Sequence, residues 1–262
     1  KRAETDARDQ LIEKSASEIS RQMQFDPEYA QSAVKKFGQR ILREQVNLDC
    51  IAVGAAENLS AESLTVNEEI EEKTLDDDWL NIFEKEASQK STEEMQKYFS
   101  RVLAGEITHP QTFSIKTIKV LGELDKRTAE LFTKFCSICM ILQAPTNNTK
   151  ANHIIDARVS SLGGSPGNNC LSKYSFSYGQ LNLLAEYGLI VSDYNSRHDY
   201  SISVAKGGNQ PLLPFNLAGL DRVLVRLNNT TNSTKEHWVS GVQLSNAGRE
   251  LYPIISCSRN EE

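Results

Sequence analysis

Four features could do chemistry: Cys136-x-x-Cys139, the run Asp76-Asp77-Asp78, the loop Gly163 to Gly167, and histidines at 109, 153, 198 and 237. Two thiols at that spacing would form half of a metal site or a redox pair, since both need thiolates side by side. No second Cys-x-x-Cys and no paired histidines accompany them, and in Phe135-Cys136-Ser137-Ile138-Cys139-Met140-Ile141-Leu142 they read as small apolar groups packed inside a helix. Clustered carboxylates attract Mg²⁺, the basis of one alternative function, a metal-dependent enzyme using the acidic segment. A cation loop, however, needs spaced oxygens and further ligands, whereas acids at a helix start cap free N–H groups and answer the helix dipole. Gly163-Gly164-Ser165-Pro166-Gly167 lacks the Gly-Lys-Ser/Thr ending that cradles phosphate. No histidine stands in a His-x-Glu, His-Glu-x-x-His or nucleophile-elbow context. The expectation is no catalytic set, no metal and no cofactor.

With 262 residues, 39% of them hydrophobic, the chain can build one large or two small cores. Its 29 basic and 35 acidic side chains give a charge of -6, which removes the simplest sign of a general polyanion binder. Five cysteines at 50, 136, 139, 170 and 257 do not form a disulfide framework and fit a reducing, cytoplasmic setting. No stretch approaches the roughly 18 apolar residues that a membrane helix needs.

The elements that must position these residues are mostly helical. Ala3, Ala7, Leu11, Ile12, Ala16, Ile19 and Met23 recur at steps that lay one apolar stripe along a helix. Asp26-Pro27-Glu28 starts a second, longer helix through Ala30, Val34, Phe37, Ile41, Leu48, Ile51, Ala55 and Leu59, with Lys35, Lys36, Arg40 and Arg43 on much of its other surface. These two are predicted to form a hairpin. Residues 61 to 100 hold 12 acidic and 4 basic side chains, read as solvated helix starts. Asp76 or Asp77, the capping box Ser91-x-x-Glu94, Ser114 and Asp125 open four further helices, the last running to about Leu142. Beyond it, Ser177-x-x-Gln180 boxes a helix that Gly188 ends. Short strands are expected at Leu189 to Val191, Tyr200 to Val204, Val223 to Leu227 and Trp238 to Leu244, before a helix capped by Ser245 and bent at Pro253. The predicted fold class is α+β, mainly α. It comprises a helical hairpin (residues 1–60), a central helical bundle (61–145) and a small winged-helix-like α+β domain (146–262).

Asp77-Asp78-Trp79-Leu80, Phe99-Ser100-Arg101-Val102-Leu103-Ala104-Gly105-Glu106-Ile107, Phe113-Ser114-Ile115-Lys116-Thr117 and Ala129-Glu130-Leu131-Phe132 resemble a bacterial family, domain of unknown function 2806. Leu183 to Ile190 and Leu244 to Leu251 resemble its later signatures. The resemblance covers about residues 75 to 255 and implies kinship without a catalytic set. The middle helices are also similar to abortive-infection proteins, which implies a phage-defence context. Arg101 and His109 resemble the Arg and His pairing of helical ribonucleases of bacterial defence. Seven residues separate them where that family uses four to six, and Gly105 and Pro110 point to a turn.

The function expected is a non-catalytic protein-interaction or regulatory module of a bacterial cytoplasmic protein that self-associates. Its contacts would come from Leu11, Ile12, Ile19 and Met23, whose stripe must be covered by protein. The first alternative is a nucleic-acid-binding component of a phage-defence system, with Arg197, Arg222 and Arg226 as its residues. Nine basic against nine acidic side chains over residues 151 to 262 give no electrostatic surplus for that role.

Overall fold

The computed structural model describes residues 10, 13–15, 17, 18, 21, 26–63, 75–144, 154–161, 170–205, 211–225 and 237–256. Leu11, Ile12, Ile19, Met23 and Arg226 lie outside the described residues, as do His153 and the Gly163 to Gly167 loop. The described positions between 10 and 21 are helical and polar.

Helix α1 (Pro27–Ser63) runs 37 residues, about 55 Å at 1.5 Å per residue. Its C-terminal half lies parallel to α3 (Glu93–Thr108): Gln96 Nε2 donates to Asn47 Oδ1 at 3.3 Å and Ser100 Oγ to the Ile51 carbonyl at 2.9 Å. Gly54 permits that approach, because a Cβ there would stand 2.6 Å from Ser100 Oγ. Asp76 caps α2 (Asp77–Ala87) by accepting from the Trp79 N–H at 2.9 Å. Helix α3 begins without the expected box: Thr92 is its N-cap and makes no side-chain cap bond. Ser114 and Asp125 cap α4 (Ile115–Glu123) and α5 (Lys126–Cys136) as their sequence positions predict.

The chain then leaves the helix six residues earlier than expected, at Cys136 rather than Leu142. Ser137 closes α5, and Met140–Gln143 is strand β1 rather than helix. A short apolar run satisfies a buried helix or a buried strand equally well, and here both faces of the sheet bury it. After β1 come β2 (Ile154–Ser160), helix α6 (Tyr178–Glu186), β3 (Ser196–Asp199), β4 (Val204–Ala205), β5 (Phe215–Leu217), β6 (Leu220–Arg222), β7 (Leu224–Val225), β8 (Trp238–Gln243) and helix α7 (Asn246–Ser256). Tyr200 leads into a 3₁₀ turn at Ser201–Ser203, and Leu189 to Val191 contributes one isolated bridge, Ile190 to Leu244. The α6 capping box forms in full, and Gly188 ends the helix at φ 73°.

Six strands make an antiparallel sheet in the order β3-β8-β2-β1-β5-β6. The fold is therefore α+β and mainly helical. One sheet face presents Ile141, Ala157, Val159 and Val242 to a core that also takes Phe83, Phe99, Phe132, Leu184, Leu251 and Ile255 from the helices. Met140, Leu142, Tyr200 and Phe215 form a smaller cluster on the opposite face. No described helix is long and apolar enough to cross a membrane.

Candidate functional site

The densest set of chemistry-bearing groups sits on that smaller face. Alternation along β2 brings Asp156 and Arg158 to one side of the sheet, where they are 0% and 1% exposed. Arg158 grips the carboxylate through both ends, Nε to Oδ2 at 2.5 Å and Nη2 to Oδ1 at 2.8 Å. Its Nη1 donates to the Ser196 carbonyl at 2.8 Å and the Val239 carbonyl at 2.9 Å. Tyr200 Oη donates to Asp156 Oδ2 at 2.8 Å. Burial, with the Asp156 carboxylate beside it, pushes the Tyr200 phenol far above its ordinary range. Charge-assisted bonds of this kind are strong once water is removed, and the planar guanidinium suits a bidentate grip.

This arrangement fastens backbone. The guanidinium bridges from β2 across to β3 and β8, and its grip on Asp156 leaves that acid as acceptor for the tyrosine. Beside it, Asp199 Oδ1 accepts from Ser201 Oγ at 2.5 Å, the Ser201 N–H at 2.9 Å and the His237 N–H at 3.0 Å. The Ser201 hydroxyl, then the His237 N–H, hold the Asp199 carboxyl below its usual range. His198 meets the Tyr200 ring edge-on, centroids 5.8 Å apart. Asp199 therefore closes a turn through backbone donors, a structural task. Sequence reasoning misses Asp156 and Arg158 because it assigns no strand to residues 154–160, and Tyr200 because only the fold brings it to Asp156. The available signal was the alternation of Asp156 and Arg158 inside an otherwise β-forming Ile154 to Val159 run.

Two further carboxylates, buried Glu106 and half-buried Glu250, do similar work. Glu106, 4% exposed, accepts from the backbone N–H groups of Gln111, Thr112 and Phe113 at 2.6, 3.1 and 2.9 Å. It thereby holds the α3–α4 turn, where Gln111 stands at φ 70°. Glu250 on α7 accepts from the Ser114 N–H at 2.8 Å and Thr117 Oγ1 at 2.6 Å, tying the start of α4 to the last helix.

The cysteines Cys136 and Cys139 are buried, and burial raises both thiols far above their ordinary range. They pack, as the apolar reading of that segment predicts. Asp76 is a helix cap, and Asp77 and Asp78 are exposed in the first turn of α2. Among the described residues, no three His, Cys, Asp or Glu side chains gather in a way that could hold a metal ion. Arg101 Nη1 donates to the Ile254 carbonyl at 3.0 Å, while His109 is the exposed C-cap of α3. Arg197 and Arg222 are exposed, on β3 and β6, the two opposite edges of the six-stranded sheet. The Arg197 guanidinium lies 5.9 Å from the ring centroid of Trp238.

Among the described residues, large exposed apolar side chains concentrate on α1. Phe37, Ile41, Leu42, Val46 and Val53 are 58, 58, 53, 57 and 60% exposed. Phe37 and Ile41 belong to the apolar stripe visible in the sequence. The other three lie elsewhere around the helix, among positions that a single-stripe reading assigns to solvent.

No curated protein and no solved structure matches the chain. A family model described as Protein of unknown function (DUF2806) matches residues 31–262, nearly the whole of it, and the chain belongs to that family.

Proposed function

We propose that the chain is a non-catalytic protein-interaction module that associates with copies of itself through α1. The observation that carries this is the row of large apolar side chains, each more than half exposed, along a helix that projects well past the start of α3. Burying a large aliphatic side chain is worth about 1.5–3 kcal/mol, so a partner that covers even three of them gains enough to matter. The buried polar groups, by contrast, are spent on fastening the fold. The setting proposed with this role is the bacterial cytoplasm, where the free thiols of Cys50, Cys136 and Cys139 persist. Sedimentation velocity of the intact chain tests the reading: dimers or larger species are expected at tens of micromolar, lost in a Leu42→Glu/Val46→Glu variant that keeps its helical circular dichroism. A chain that sediments as a monomer overturns it.

One observation favours a second reading. Arg197 beside a half-exposed Trp238 joins a cation to an aromatic platform, the pairing on which unstacked bases rest. On this reading α6, β3, β8 and α7 act as a winged-helix-like nucleic-acid module. Quenching of Trp238 fluorescence by a single-stranded oligonucleotide, weakened by salt and by Arg197→Ala or Arg222→Ala, is its expected mark. No quenching at low salt refutes it.

A further inference from the structure

We propose that two copies of the chain pair antiparallel along α1, setting Leu42 of each against Val53 of the other and Lys36 against Glu57; this rests on the self-association reading above. The argument starts from which side of α1 is free. At about 100° per residue, the contacts with α3 at Asn47, Ile51 and Gly54 occupy one side. Leu42, Val46 and Val53 cluster roughly 130° round from it. These three, with Asp49 and Ala56, follow the alternating steps of four and three that build a two-helix seam, and all five are exposed.

The stripe of Val34, Phe37 and Ile41 lies about 125° round the helix from this seam, so it forms a separate apolar side of α1.

Charge then fixes the direction. Between residues 35 and 43, α1 carries Lys35, Lys36, Arg40 and Arg43 and no acid; between 44 and 60 it carries Glu44, Asp49 and Glu57 and no base. A parallel pair would lay the basic half on the basic half. An antiparallel pair lays it on the acidic half, with its two-fold axis at the height of residues 47 and 48. Leu42 then meets Val53 on both sides of the axis. Once the helices wind about each other at about 3.5 residues per turn, Lys36 and Glu57 both flank the seam and face each other twice. Asp49, hydrogen-bonded by Gln45 Nε2 at 2.8 Å, is the seam's one carboxylate and comes within a turn of the other copy's Arg43.

Charge reversal and cross-linking test the pairing. In sedimentation equilibrium, Lys36→Glu and Glu57→Lys should each weaken association about tenfold, since each sets like charges opposite at two places. The double reversal should return to within about threefold of the parent. Under mild oxidation, Leu42→Cys/Val53→Cys in a Cys50→Ser background should give a covalent dimer whose linked peptides join positions 42 and 53. Leu42→Cys alone should stay uncrosslinked. A double reversal that fails to recover, or Leu42→Cys alone cross-linking to itself, overturns the antiparallel register and leaves self-association standing. A parent chain that stays monomeric overturns both. All these positions are exposed, so circular dichroism of each variant should match the parent.

Discussion

Replacing Arg158 by Met would leave Asp156 buried without its cation and release the carbonyls of Ser196 and Val239. The acid would keep only the Tyr200 hydroxyl as donor. Breaking a buried ion pair from one side costs about 3–5 kcal/mol, chiefly because a charge is left unpaired in a poorly polarisable interior. Loss of the two carbonyl bonds adds about 1 kcal/mol or more. Taking away both charges, as in Asp156→Leu/Arg158→Met, removes the stranded ion and refills the volume with aliphatic groups beside Met140 and Leu142. The double variant should therefore be more stable than Arg158→Met alone by about 2 kcal/mol, a strongly non-additive result. Urea unfolding followed by far-ultraviolet circular dichroism measures the stabilities of the parent, Arg158→Met, Asp156→Leu and the double variant. A single variant that loses less than about 1 kcal/mol, or a double variant that loses the sum of the singles, would refute the claim that this buried pair fastens β2 to β3 and β8.

Three further outcomes follow from geometry. Alanine at Gly248 would place a Cβ 2.1 Å from the Leu189 carbonyl oxygen, an overpacking that should cost about 1–3 kcal/mol in the same unfolding assay. Mass-spectrometric mapping of iodoacetamide adducts should find Cys50 modified in the native chain and Cys136 and Cys139 modified only in denaturant, because burial keeps their thiols protonated and covered. Asp199 has its folded carboxyl held below the ordinary 3.8 by the Ser201 hydroxyl and the His237 N–H, so its contribution to stability is present above that value and fades as pH falls through the lower folded value. Melting temperature measured from pH 6 downwards should drop more steeply for the parent than for Asp199→Asn, which has no charge to lose.

The helical part was largely legible in the sequence because its signals are local. Asp76, Ser114, Asp125 and Ser177 each accept from a backbone N–H three residues on, and a cap needs only its own turn to act. Strands β2, β5 and β6 were not legible: β2 pairs with distant β8 and β5 with distant β1, β6 is a three-residue strand held only by β5, and propensity alone does not decide such short runs. The run from Cys139 to Leu142 reads as helix or strand until its two buried faces are known. Of the candidate groups, the burial of Cys136 and Cys139 could be read from their apolar neighbours. The grip of Arg158 on Asp156 could not, because its worth comes from Ser196, Val239 and Tyr200, which meet it only in three dimensions. Leu42, Val46 and Val53 were hidden for another reason: a single amphipathic stripe is what a helix with one partner needs, and α1 has two apolar sides.

Strand β8 ends only three residues before the last helix and yet occupies an interior place, between β3 and β2. During synthesis the ribosome must therefore deliver the chain through Gln243 before the sheet can close, and until then β2 and β3 each present a bare edge to whatever else is in the cell. A premature stop anywhere upstream of Trp238 would leave those edges open for good. Products that stop before Trp238 should be prone to clumping and quick degradation, and only chains that carry β8 should accumulate in soluble form.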